Sequence, residues 1–146
     1  LIKELDVASY VKLHGISHMI EQEFARSHIF ALPSEFEGFP RVVLEAATAG
    51  LPIIACDSIK TVAEMVRTHG CGLCVPAAGV ESGLAGAIRE LMDNPAKWQE
   101  LATRARAMSA QYEKGQLMRR WEGLLHMVAS QQGTCTADIG TTSNSV

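Results

Sequence analysis

The chain has 146 residues, of which 47% are hydrophobic and 20% charged, with a formal charge of −3. That length and balance fit one globular domain with a buried core and exclude global disorder. The 13 basic and 16 acidic side chains form no like-charged block, which predicts no nucleic-acid surface.

No apolar run approaches the ~18 residues of a membrane span. The N-terminus lacks the charged, apolar, small-residue order of a secretory signal. Four unevenly spaced cysteines are too few for a disulfide scaffold and predict a reducing, cytoplasmic setting. The chain opens on Leu1 rather than Met, which reads as a piece of a longer frame.

Residues 8–13 (ASYVKL) alternate and stop at Gly15, predicting a first strand. Residues 17–26 carry Met19, Ile20 and Phe24 at helical spacing, with Ser17 as N-cap. Residues 29–32, stopped by Pro33, predict a second strand. Residues 42–49 form a helix that ends at Gly50. Residues 52–56 are a third strand, 61–67 a short helix and 72–75 a fourth strand before Pro76. Residues 80–92 are an amphipathic helix with Leu84, Ala87, Ile88 and Leu91 on one face. Asn94 and Pro95 cap and begin another helix to about Ala107, and a last helix spans 116–128. Residues 130–146 are rich in Ser, Thr, Gln and Gly and are expected to be a disordered polar tail after a single unit at 1–129.

Short apolar strands alternating with helices predict an α/β fold: a Rossmann-like parallel sheet of about four strands with helices on both faces. Such sheets bind ligands beyond the carboxyl ends of their strands. The connection from Pro33 to Arg41 is the most informative of these. Gly38 permits close backbone approach, Pro40 suits a first helical turn, and the helix start offers free N–H groups to an anion. Glu37 lies before that turn, and Glu45 about 7 Å along the axis from Pro40 at ~1.5 Å per residue. Two acceptors flanking an anion site at different depths suit a nucleotide sugar.

Glu37 and Glu45 form an E-x7-E pair within LPSEFEGFPRVVLEAATAGLPIIACD. This text resembles the donor-site motif of retaining GT-B glycosyltransferases, particularly glycosyltransferase family 4 (the glycosyl transferases group 1 domain), over roughly residues 6–128. The resemblance implies that Glu37 contacts hydroxyls of the transferred sugar, as the catalytic candidate. It implies that the backbone at Gly38, Phe39, Arg41 and Val42 lies against sugar and diphosphate, and that Glu45 accepts from the ribose hydroxyls. His14, Gly15 and Ile16 fall where the family places the base. The implied donor is a UDP- or GDP-linked sugar, with no other cofactor and no metal; no Asp-x-Asp occurs.

The chain departs from the family in several places. The family's Arg and Lys, on a first strand and its following helix, are absent, as are a second strand and the preceding acceptor domain. In the family's strand order the two missing strands lie between this chain's first and second predicted strands, so the chain either leaves a gap or pairs those strands directly, with marginal stability or association as the expected result. The loop Asp57-Ser58-Ile59-Lys60-Thr61 stands where the family often has a Gly-rich turn before a Glu, whose counterpart is Glu64. The isolated chain is expected not to transfer sugar. Peripheral membrane association would run through the missing half. A nucleotide or nucleotide-sugar binding or interaction module without transfer activity is the alternative; the E-x7-E text argues against an epimerase.

Blander readings stand beside these. Arg41 either contacts phosphate or faces solvent near an unfavourable helix start. Cys71 and Cys74, a C-x-x-C near His69, are expected on opposite sides of a strand, as small hydrophobes rather than a zinc or redox pair. His18 is expected to be exposed on a helix. Trp98, Tyr112, Leu117, Trp121, Leu124 and Leu125 are expected to pack helices, part of the last helix's face lacking its partner.

Overall fold

The computed structural model describes residues 1–38 and 41–132. Three strands, β1 (Phe30–Leu32), β2 (Ile53–Cys56) and β3 (Gly72–Val75), form one parallel sheet in the order β1-β2-β3. The register pairs Phe30 with Ile53, and Ile53 in turn with Gly72. Six helices accompany them: α1 (Ile20–Ala25), α2 (Arg41–Thr48), α3 (Lys60–His69), α4 (Val80–Asp93), α5 (Pro95–Ala110) and α6 (Lys114–Gln132).

The predicted α/β architecture holds, with three strands rather than about four. Residues 8–13 form no strand, and Tyr10 and Leu13 are 87% and 82% exposed. An alternating pattern makes a strand only where a neighbour takes its N–H and C=O groups, and no described strand lies beside this one. The segment turns on itself instead, Leu5 N–H donating to the Leu1 carbonyl at 2.9 Å and Tyr10 N–H to that of Val7 at 3.0 Å. Helix α1 is shorter than predicted. Ser17 Oγ accepts from Met19 N–H at 3.2 Å, one step ahead of the helix, and His18 is exposed before its start rather than on it.

Successive residues of β2 point to opposite faces. Ile53 and Ala55 meet Val43 and Ala47 of α2, Val62 and Val66 of α3, and Ala105 and Met108 of α5. Ile54 meets Ala87 and Leu91 of α4 and Leu101 of α5. Helices therefore cover both faces, as the unbroken apolar strands required, and α5 reaches both cores. Phe24 of α1 packs with Ala46 and Leu51, its ring edge-on to Phe30 at 5.9 Å.

Glycine ends both helices of the first face. Gly50 (φ +81°) and Gly70 (φ +56°) take the left-handed conformation, and paired back-bonds close each end: Leu51 N–H to Ala46 O at 3.1 Å, and Cys71 N–H to Val66 O at 3.2 Å. Two α5 arginines lie over these glycines. A Cβ on Gly50 would meet Arg106 Nη2 at 2.6 Å, and one on Gly70 would meet Arg104 Nη1 at 2.6 Å. Arg106 also donates to the Ala49 carbonyl at 3.3 Å, placing a cation at the negative end of α2.

Cys71 and Cys74 share a face, contrary to the opposite sides expected. Cys71 lies in the turn just before β3, so strand alternation does not separate the two. Its Sγ sits 3.5 Å from Met108 Sδ, and Cys74 Sγ sits 3.6 Å from the Ala63 carbonyl, both in the core of the first face. Burial pushes the Cys71 thiol up to about 11 and raises that of Cys74, the behaviour of small buried hydrophobes. Trp98 and Tyr112 pack on the two cores as expected. Trp121, Leu124 and Leu125 are 59%, 50% and 62% exposed on α6, on the face of which part was expected to lack a partner.

Candidate functional site

Parallel strands joined by helices put the starts of α2, α3 and α4, which follow β1, β2 and β3, at the end of the sheet where the strands finish. The connections at that end are tied together. Ser58 Oγ, after β2, donates to the Ser34 carbonyl, after β1, at 3.1 Å. Asp57 Oδ1 accepts from Ala77 N–H, after β3, at 2.9 Å. Ser34 Oγ donates to Glu37 Oε1 at 3.1 Å, which holds the half-buried Glu37 carboxylate against the loop.

A cleft of about 250 Å³ opens here, lined by Glu35 to Gly38 on one side and by Ser58 to Thr61 on the other. The second wall is the start of α3, whose N-cap Ile59 supplies no side-chain acceptor. The first N–H groups of that helix therefore have no partner in their own helix. No Cβ at Gly38 would meet an atom within 4 Å, so the backbone there is open on its Cβ side. The cleft thus combines a fixed carboxylate, an accessible backbone, a helix start and the Lys60 side chain. It suits a ligand with hydroxyls next to an anion.

The remaining expected residues are distributed as follows. Phe39 and Pro40 lie outside the described residues. Arg41 is exposed at the start of α2, Val42 is half-buried, and Glu45 is exposed one turn beyond Arg41. Glu45 does not line the cleft that holds Glu37. It lines a neighbouring cleft of about 390 Å³ between α1 and α2, with Glu21, Phe24, Ala25, Thr48 and Ala49. Gly15 and Ile16 join neither cleft; Gly15 is left-handed at φ +62° and Ile16 is 91% exposed. His14 Nδ1 lies 3.7 Å from Glu23 Oε1 of α1.

Sequence reasoning did not single out Ser34, Ser58 or Glu21. Ser34 and Ser58 follow strand ends, and small polar residues there are a legible signal for loop ties. Glu21 carried only the weak signal of an acidic residue in a first helical turn. Among the described residues no group of three or more His, Cys, Asp or Glu is placed to hold a metal ion. No helix among them is long and apolar enough to cross a membrane.

The chain is 36% identical over 133 residues to an exopolysaccharide phosphotransferase of Streptomyces coelicolor, covering 90% of this chain and 14% of that protein. It is 30% identical over 125 residues to an uncharacterized glycosyltransferase of Haemophilus influenzae, covering 86% and 35%. The chain thus spans well under half the length of these relatives. Among solved structures, sucrose-phosphate synthase from Thermosynechococcus elongatus matches with a TM-score of 0.63 at 25% identity, over 84% of this chain and 33% of that one. The parallel sheet and its helices match the Rossmann-like domain of the GT-B type. The family model of glycosyl transferases group 1 matches residues 1–108, which take in the whole sheet and both clefts, and the chain belongs to that family.

Proposed function

We propose that the chain is the donor-binding part of a retaining glycosyltransferase of family 4, which moves a sugar from a nucleoside-diphosphate sugar to an acceptor. The observation that carries this reading is the Glu37–Gly38 loop facing the open start of α3 across one cleft, with Glu45 a short way down α2. Glu37 would hold hydroxyls of the transferred sugar, oriented by the Ser34 hydroxyl. The backbone at Gly38, Phe39, Arg41 and Val42 would lie along sugar and diphosphate. Glu45, outside that cleft, would take the ribose hydroxyls. Gly15 and Ile16 would approach the base.

Chemistry of this kind asks the protein to position the donor and to stabilise the departing diphosphate. Helix starts supply oriented N–H groups for the second task without any rearrangement at the moment of reaction. Acceptor recognition would belong to residues beyond this chain, so the chain by itself binds a donor nucleotide and transfers nothing.

Calorimetric titration with GDP and UDP tests the reading. At least one should bind, and Glu45→Ala should weaken it about 5- to 150-fold, the equivalent of ~1–3 kcal/mol for lost charged hydrogen bonds. Binding of neither nucleotide, or binding indifferent to Glu45→Ala, would refute it. A rate of sugar transfer above background with the purified chain would refute the claim of inactivity alone.

A further inference from the structure

The cleft between α1 and α2 has a feature that the E-x7-E pattern does not contain. Glu21, in the first turn of α1, lines it together with Glu45. Helix α2 joins two parallel strands and so runs opposite to them, which sets Glu45 one turn nearer than Thr48 to the end where the strands finish. Phe24 and Ala25 after Glu21, and Thr48 and Ala49 after Glu45, complete the lining. The third polar side chain is Thr48, whose Oγ1 donates its proton to the Leu44 carbonyl at 2.8 Å. Every polar side-chain atom facing the cleft is therefore a hydrogen-bond acceptor: two carboxylates and a hydroxyl with its proton already placed. Among the described residues no cationic side chain lines it, the Arg106 guanidinium being bonded to the Ala49 carbonyl at 3.3 Å. A phosphate would find only repulsion from these side chains, so the portion of a ligand seated here must present donors.

A nucleoside divides into a ribose diol, which donates, and a base whose edge varies. Guanine offers two adjacent donors, N1–H and the N2 amino group, which match one carboxylate through parallel hydrogen bonds. Uracil offers one N–H flanked by two carbonyl oxygens, which a carboxylate repels. With Glu45 occupied by the ribose, Glu21 is the second carboxylate of the same cleft and has the base edge left to read. The volume of about 390 Å³ lies within the range of ligand sites.

We propose that Glu21 is a specificity-determining residue of the donor site, selecting a guanine nucleotide and rejecting a uracil nucleotide. The selection combines an attractive pairing with a repulsive one, which is how sharp discrimination between similar ligands is generally reached. The inference rests on the reading of Glu45 as the ribose contact.

The test is calorimetric titration of the 146-residue chain and of Glu21→Ala and Glu21→Gln with GDP and UDP, with Glu45→Ala as reference. The unaltered chain should bind GDP at least about tenfold more tightly than UDP, the scale of a charged hydrogen-bond pair. Glu21→Ala should bring the two within about threefold, by weakening GDP and sparing or improving UDP. Glu21→Gln should weaken GDP while removing the repulsion toward uracil. Glu21 is exposed, so both variants should fold, and matching far-ultraviolet dichroism and melting curves check this.

Three results would overturn the inference. UDP binding as tight as GDP binding, with Glu45→Ala still weakening both, overturns the role of Glu21 and leaves the donor site standing. Weakening of both nucleotides by one factor in Glu21→Ala does the same. Binding of neither nucleotide overturns both readings together.

Discussion

Replacing Gly72 by alanine should break the sheet at a single atom. Gly72 opens β3 opposite Ile53 of β2. A Cβ there would collide with the Ile53 carbonyl oxygen, lying 2.7 Å from the carbonyl carbon and 2.9 Å from the Ile53 nitrogen. Those atoms are backbone in the central strand, so no side-chain rotation relieves the overlap; one strand must move away from the other. Ordinary overpacking costs about 1–3 kcal/mol. Parting the strands also loses ladder bonds such as Ile53 N–H to Cys71 O at 3.2 Å, each worth about 1 kcal/mol net. With two such bonds lost the sum is about 3–5 kcal/mol, a large share of the 5–15 kcal/mol that typically holds a domain together. Gly86, in α4, is the control: nothing lies within 4 Å of its added Cβ, so alanine there should stabilise by about 0.5–1 kcal/mol. Urea unfolding followed by far-ultraviolet dichroism measures both. A Gly72→Ala midpoint within 1 kcal/mol of the parent, or a loss for Gly86→Ala as large as for Gly72→Ala, would refute this account of the β2–β3 approach.

Further measurements bear on other contacts. Asn94 Oδ1 accepts from Lys97 N–H at 3.0 Å, so Asn94→Ala should lower stability by about 1 kcal/mol in urea unfolding. Trp98→Phe deletes the bond from Nε1 to the His28 carbonyl at 2.7 Å; the same assay should show a loss of about 1 kcal/mol together with some lost packing. The folded Cys71 thiol is raised from 9.0 to about 11, so the folded state holds a proton that the unfolded chain releases sooner. Stability from this group is complete below pH 9 and is lost as pH climbs toward about 11. The urea midpoint should fall over that window, and fall less steeply in Cys71→Ala.

What was legible in the sequence followed from patterns that a residue and its near neighbours settle alone. The apolar strands PIIAC and GLCV are buried or half-buried, and the stop of the helix before PIIAC was visible as Gly50. The Asn94-Pro95 start of α5 was equally local. What failed needed a partner. ASYVKL has strand character but no strand beside it among the described residues, and so remains turns. Trp121 and Leu124 lie on a helix whose apolar face meets too little of this chain to be buried. In the candidate site, Glu37 and Glu45 could be read from spacing and from the text around them. Their division between two clefts, and the company of Glu21, depend on how α1 packs on α2 through Phe24, which spacing does not encode.

The two arginines laid over Gly50 and Gly70 bear on the site from its far side. Helices α2 and α3, about 12 and 15 Å long at ~1.5 Å per residue, are each steadied at the tail by one guanidinium from α5. At its head α3 forms one wall of the first cleft, while α2 lines the second with Glu45 at its middle and Thr48 at its tail. Helix α5 thus works as an anchor block with two levers resting on it. A shift of that block would reach Ala49 in the wall of the second cleft directly, and the first cleft a helix length further on, at the start of α3.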